Sequence, residues 1–199
     1  MSKFFNTAVV ATALLTGTAC VASTPKAEEV DVTVNEENAV PIEVVRKKWD
    51  CPDCNPNERY VLAQLQEQTR ITDRNALATI MGNIRSESNF HSNICEGGAR
   101  VPYERCYSGG YGLIQWTTLG RYRGLGNFAA KYKCDPSSLD CQVRYMVNES
   151  QFQKVLPEFE GGGQTVRQYM VPSYYRLGWG IKGYREHYAY DYTKRMILV

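Results

Sequence analysis

Two short runs hold the residues of this chain that could do chemistry. The first is Ile80-Met81-Gly82-Asn83-Ile84-Arg85-Ser86-Glu87-Ser88-Asn89-Phe90, and the second is Gly109-Gly110-Tyr111-Gly112-Leu113-Ile114-Gln115-Trp116-Thr117. In the first, Ala76, Leu77, Ile80, Met81 and Ile84 have the spacing of one buried helical face. Glu87 lies three residues past Ile84 and seven past Ile80, so it continues that face. A carboxyl at the wet end of an apolar stripe is partly desolvated, which disfavours its charge and raises its pKa. That is what a general acid near neutral pH needs. A Glu chosen blindly near a helix end is more often solvated or capping. The second run gives the catalytic reading its weight: Gln115 both donates and accepts hydrogen bonds, and Trp116 offers a ring face, although a buried Trp is the commoner case. Ser88 is placed either to orient Glu87 through a hydrogen bond or to cap the helix terminus.

Together the two runs resemble the lysozyme-fold peptidoglycan hydrolases, most closely the phage tail lysozyme family. There a helix ends in Gly-Asn-x-x-x-Glu-Ser-x-Phe and a later hairpin carries Gly-Gly-x-Gly-Leu-x-Gln-Trp-Thr. The likeness covers roughly residues 57 to 155 and weakens beyond. It implies an α+β, mainly α, lysozyme-like fold with a small β-hairpin beside the catalytic cleft. It also implies cleavage of the β-1,4 bond between N-acetylmuramic acid and N-acetylglucosamine, with peptidoglycan glycan strands as the partner. Glu87 would protonate the leaving oxygen, while Ser88, Tyr111, Gln115 and Trp116 would contact or position the sugars. Hydrolysis needs a second group, a carboxylate at about 5 Å for retention or a more distant base for inversion. Glu96 in the loop is the geometric candidate and Glu104 the weaker one; neither matches a fixed position of the family pattern. Gln142, Tyr145 and Glu149 match a Gln-x-x-x-Tyr-x-x-x-Glu-like pattern of the family, here read as a packing floor. Lytic transglycosylases carry similar motifs with a single Glu and remain an alternative, as does an inactive, wall-binding virion or envelope protein.

The elements that must position these groups follow from periodicity and punctuation. Asn57 to Thr69 reads as a helix with Val61, Leu62 and Leu65 inward and Asn57 as cap, and Thr72 or Asp73 caps the next helix, which ends at Glu87. Ser88 to Ser108 is an irregular loop, and Gly109 to Thr118 suits a short hairpin strand. Arg121 to Lys133 and Leu139 to Gln151 are expected helices. Gly161-Gly162-Gly163 is a loop, Thr165 to Val171 a short helix stopped by Pro172, and Arg185 to Leu198 a terminal helix.

Seven cysteines narrow the compartment. If Cys20 is removed or lipidated, six remain, an even number that implies bridges in an exported domain. Cys95 with Cys106 and Cys134 with Cys141 would close short loops, leaving Cys51 with Cys54. The Cys-x-x-Cys spacing also suits a thiol redox site or half a zinc site. With no second such pair and only two His, neither a metal nor a cofactor is expected.

Residues 1 to 22 have the form of a secretion signal, with Lys3, an apolar run, and small residues before Cys20. Cleavage before Cys20 would leave a lipoprotein anchor there; cleavage after Ala22 would remove it. Residues 23 to 45 are acid-rich and read as a flexible linker, with Val30, Val32 and Val34 alternating as in an edge strand. Residues 46 to 199 form the catalytic domain, and the protein is exported: periplasmic, outer-envelope or secreted, or virion-associated if viral. From Val44 onward basic side chains outnumber acidic ones 21 to 15, which favours an anionic polymer. The absence of clustered Lys/Arg on any helix argues against nucleic acid.

Overall fold

The computed structural model describes residues 47–107, 109–180 and 184–199. The signal segment, the acidic linker, its Val alternation, Cys20 and the domain boundary near residue 45 lie outside the described residues.

Helix α1 (Pro56–Gln68) begins at Asn55, whose side chain accepts from the backbone N–H groups of Asn57 and Glu58, while Glu58 reaches back to the Asn55 N–H. This is a capping box with Pro at the first helical position, so the cap is Asn55 and not Asn57. Helix α2 (Arg74–Ser88) starts at Asp73, which accepts from Asn75 and Ala76 at 2.7 and 3.2 Å. It ends in two consecutive left-handed residues, Asn89 at φ 49° and Phe90 at φ 61°. Asn tolerates that region; Phe is held there because its ring is fully buried, edge-on to Tyr192.

Helices α3 (Leu119–Tyr132), α4 (Leu139–Asn148), α5 (Ser150–Gly161), α6 (Val166–Leu177) and α7 (Arg185–Arg195) complete the helical set among the described residues. Helix α5 was not expected. Helix α6 does not stop at Pro172. The ring costs only the bond to the Gln168 carbonyl, and a Thr165–Gln168 capping box carries the helix on to Gly178, a left-handed cap at φ 69°. The terminal helix stops at Arg195, and its last residues instead form strand β2 (Ile197–Leu198), antiparallel to β1 (Trp49–Asp50).

The fold is thus mainly helical with one small antiparallel sheet, the α+β lysozyme-like class expected. Among the described residues the sheet joins the two ends of the domain. The 109–118 segment is a series of turns, with a β-bridge to the preceding loop at Cys95–Tyr111. All three expected cysteine pairs are present: Cys51–Cys54, Cys95–Cys106 and Cys134–Cys141. Cys51, Asp53 and Cys54 lie close enough to share an ion, but the two sulfurs are joined to each other.

Helix α7 packs along α2 at close range. A Cβ on Gly82 would lie 2.5 Å from the Ala189 nitrogen and 2.8 Å from the Arg185 oxygen, so only glycine allows this crossing. At the far end Tyr192 of α7 donates to the buried Glu58 carboxylate of the α1 capping box, and Arg195 lies 3.6 Å from the same carboxylate. The cap of α1 is thereby tied to the last helix.

Candidate active site

Glu87 occupies the last turn of α2, with its side chain 16% exposed. Its Oε1 lies 2.7 Å from Nη2 of Arg185, the first residue of α7. Burial pushes its pKa up, against the pull of Arg185 and the weaker field of Arg121. The carboxyl also sits at the negative end of the α2 dipole, which disfavours its charge further. A carboxyl kept half out of water beside a cation can hold a proton and give it up again.

Ser88 does not orient this carboxyl. Its hydroxyl is buried and donates to the Leu113 carbonyl at 2.7 Å, fastening the tip of α2 to the 109–118 segment. Buried Gln142 on α4 holds the same segment from beneath. Its Oε1 accepts from the Leu113 N–H at 2.7 Å, while its amide donates to the carbonyls of Ser92 and Pro136, each at 2.7 Å. Gly112, at φ 72°, is required there, since a Cβ would meet the Gln142 amide at 2.4 Å. Tyr111 is fully buried, its hydroxyl bonded to the Val101 carbonyl and to Ser137, and its ring edge-on to Tyr103. Trp116 is fully buried too, tilted against Tyr145 and donating from Nε1 to Glu149 at 3.3 Å. Tyr111, Trp116 and Ser88, expected at the substrate, are thus buried in the platform beside the helix tip. Aromatic and hydroxyl types alone cannot distinguish these roles.

Gln115 is half-buried in a left-handed conformation at φ 51°, and its amide nitrogen donates to the Gly112 carbonyl at 2.9 Å. Glu96 is exposed, and one of its carboxylate oxygens accepts from the Gly110 N–H at 3.2 Å. It braces the loop. Glu104 is exposed on a short 3-10 turn, Tyr103–Arg105. The cations that pull on Glu87 are Arg185 and Arg121. Glu149, buried at the C-cap of α4, pairs with Arg121, whose Nε donates to it at 3.0 Å. This agrees with its reading as part of the packing floor.

Two cations matter here that sequence reasoning passed over, Arg185 and Arg121. Arg185 opens a helix 98 residues after Glu87, and nothing in its local sequence marks it out. Arg185 also reaches the wall of a groove of about 340 Å³ formed by α6, the turn that follows it and the start of α7, including Val171, Tyr174, Tyr175 and Trp179. Glu87, which is not among the groove's lining residues, is linked to it through the ion pair with Arg185.

Residues 56–174, from the first residue of α1 into α6, match the family model of phage tail lysozymes. The chain belongs to the phage tail lysozyme family. No curated protein and no solved structure gives a significant match. Membership of this lysozyme-type family makes peptidoglycan the substrate polymer and glycosidase action on it the general activity. The matched span holds Glu87, the 109–118 platform, Gln142 and Glu149; Trp179 and Arg185 lie beyond it.

Proposed function

We propose that this phage tail lysozyme relative cleaves the β-1,4 bond between N-acetylmuramic acid and N-acetylglucosamine, with Glu87 as general acid. The single observation that carries the reading is the Glu87 carboxyl: half-buried at a helix end, raised in pKa by burial, and paired with one cation. In the reaction Glu87 passes its proton to the glycosidic oxygen as the bond to the anomeric carbon breaks. Arg185 then stabilises the carboxylate left behind. Water, or another hydroxyl, supplies the oxygen that completes the anomeric carbon, and its proton returns to Glu87 or to a second base.

One observation favours the transglycosylase variant of this chemistry. Glu96 is held by the loop backbone and Glu149 is paired with Arg121, while the side chains that pull on Glu87 are the cations Arg185 and Arg121. A lone carboxyl that serves first as acid and then as base suits attack by the substrate's own hydroxyl, which yields an anhydro sugar.

The decisive experiment digests purified peptidoglycan with the wild-type protein and with Glu87→Gln, followed by mass spectrometry. Reducing ends identify a hydrolase and anhydro ends a transglycosylase. Glu87→Gln is expected to lose activity by about three orders of magnitude, in line with removal of a general acid. Equal activity of the two proteins refutes the role of Glu87, and the absence of any cleavage by the wild type leaves a wall-binding protein. We further propose an exported setting, supported by three disulfides, which persist in oxidising compartments. Intact mass of the exported protein distinguishes an acylated Cys20 from its removal.

A further inference from the structure

Helix α6 presents an unusual outer face. Arg167, Val171, Tyr174 and Tyr175 stand four, seven and eight residues along from the first, one stripe of the helix. Val171 is 55% exposed and Tyr175 77%. Large apolar side chains grouped on one exposed face mark a binding surface. This stripe lines the groove together with Trp179 and Arg185. Aromatic rings suit the apolar faces of sugars. The charged residues of the lining are Arg167, Arg185 and Glu186, and Arg185 is already paired with Glu87. Every second sugar of peptidoglycan carries a lactyl group, either as a free carboxylate or extended by a peptide that ends in carboxylates; a plain N-acetylglucosamine polymer has none.

Arg185 has donors to offer such a group. One nitrogen holds Glu87 at 2.7 Å, another reaches the Asn83 carbonyl only at 3.4 Å, and Nε is buried with no hydrogen-bond partner among the described residues. A guanidinium carries five N–H donors.

We propose that this groove is the subsite for the carboxylate-bearing muramoyl unit of the strand, and that Arg185 is shared between that carboxylate and Glu87. The inference rests on the reading of Glu87 as the acid. Its consequence is mechanistic. Seating the substrate divides the charge of Arg185 between two carboxylates, leaving Arg121 as the other cation acting on Glu87. The pull that keeps Glu87 ionised weakens when its proton is needed. Arg185 is then a positioning residue that ties recognition of the wall polymer to the state of the acid.

The test uses the full chain carrying Glu87→Gln, titrated by calorimetry with three soluble probes. These are a muropeptide tetrasaccharide, the same compound with its carboxyls converted to amides, and an N-acetylglucosamine tetramer. Expected is about tenfold preference for the free-carboxyl probe over either other, a difference of about 1.4 kcal/mol. Adding Arg167→Gln or Tyr175→Ala, both exposed and without a core role, is expected to weaken that binding about tenfold. Arg185→Met should abolish the preference for carboxyl over amide while retaining stacking affinity for the sugars. Equal affinity for all three probes, or binding indifferent to Arg167 and Tyr175, overturns the proposal even where wild-type cleavage upholds the assignment of Glu87. Conversely, retained cleavage by Glu87→Gln sinks the acid assignment and the sharing of Arg185 with it, whatever the groove binds.

Discussion

Gly82→Ala tests how the fold delivers Arg185 to Glu87. The added methyl would lie 2.5 Å from the Ala189 nitrogen and 2.8 Å from its Cα and from the Arg185 oxygen. All three are backbone atoms, so no rotamer change relieves the contact. Reaching ordinary van der Waals separation requires α7 to move by roughly 0.9 Å from α2. Overpacking of this kind costs about 3 kcal/mol, and alanine's better helix propensity returns about 1 kcal/mol, a net loss of about 2 kcal/mol. For a domain of this size that is a fall in Tm of about 4–8 °C, measurable by scanning calorimetry on the oxidised protein. Because Arg185 begins the displaced helix, its guanidinium leaves the position 2.7 Å from Glu87. A shift of about 1 Å in catalytic machinery costs up to 100-fold in rate. Loss of activity well beyond the loss of folded fraction at 25 °C is therefore expected. A Gly82→Ala protein with wild-type Tm and turnover would show that the α2–α7 crossing is not what places the cation.

Arg185→Met should raise the Glu87 pKa further, since burial then acts against the weaker field of Arg121 alone; the basic limb of the kcat/KM profile should move to higher pH, and an unmoved or lowered limb refutes the pairing. The same sign holds for stability. A carboxyl whose pKa is raised by folding contributes stability that is present below its unfolded value and lost as pH rises through the folded value, so Arg185→Met should be most destabilised on the alkaline side. Gln142→Leu strips partners from the Leu113 N–H and from the Ser92 and Pro136 carbonyls and should cost about 3 kcal/mol in chemical denaturation; a change under about 1 kcal/mol contradicts its role as the clamp of the 109–118 platform. Replacing the Cys95–Cys106 pair by serines, an 11-residue separation, should cost about 3 kcal/mol, more than the same change at Cys51–Cys54, separated by 3, and the reverse order would show that loop closure is not the main contribution.

What the sequence made legible was local. The apolar spacing from Ala76 to Ile84 places Glu87 on the buried face of a helix, and Asp73 caps that helix as expected. The cysteine pairs followed from loop lengths and elimination. What it concealed was either masked by residue type or carried by distant partners. Pro172 reads as a stop, yet a buried proline costs a helix one bond when a capping box and a glycine cap define its ends. Tyr111 and Trp116 are expected as sugar contacts through the family resemblance, with burial the commoner role for a Trp. The choice depended on Ser137, Tyr145 and Glu149, which arrive from elsewhere in the chain.

The division of labour between the two halves of the site follows from the same distinction. The family motif holds Glu87 and the platform beside it, where the Ser88 hydroxyl and the Gln142 amide bond the backbone of Leu113. The counter-ion comes from α7, beyond the span that matches the family. An acid supplied by one element and a cation by another are coupled only through the α2–α7 crossing, and that crossing depends on the missing side chain at position 82. A glycine in mid-helix costs about 1 kcal/mol of helix stability. Here the cost is offset by an approach close enough for Arg185 to reach Glu87 in the last turn of α2. Gly82, five residues ahead of Glu87 in the recognition motif, is thus part of the acid's electrostatic environment without touching it.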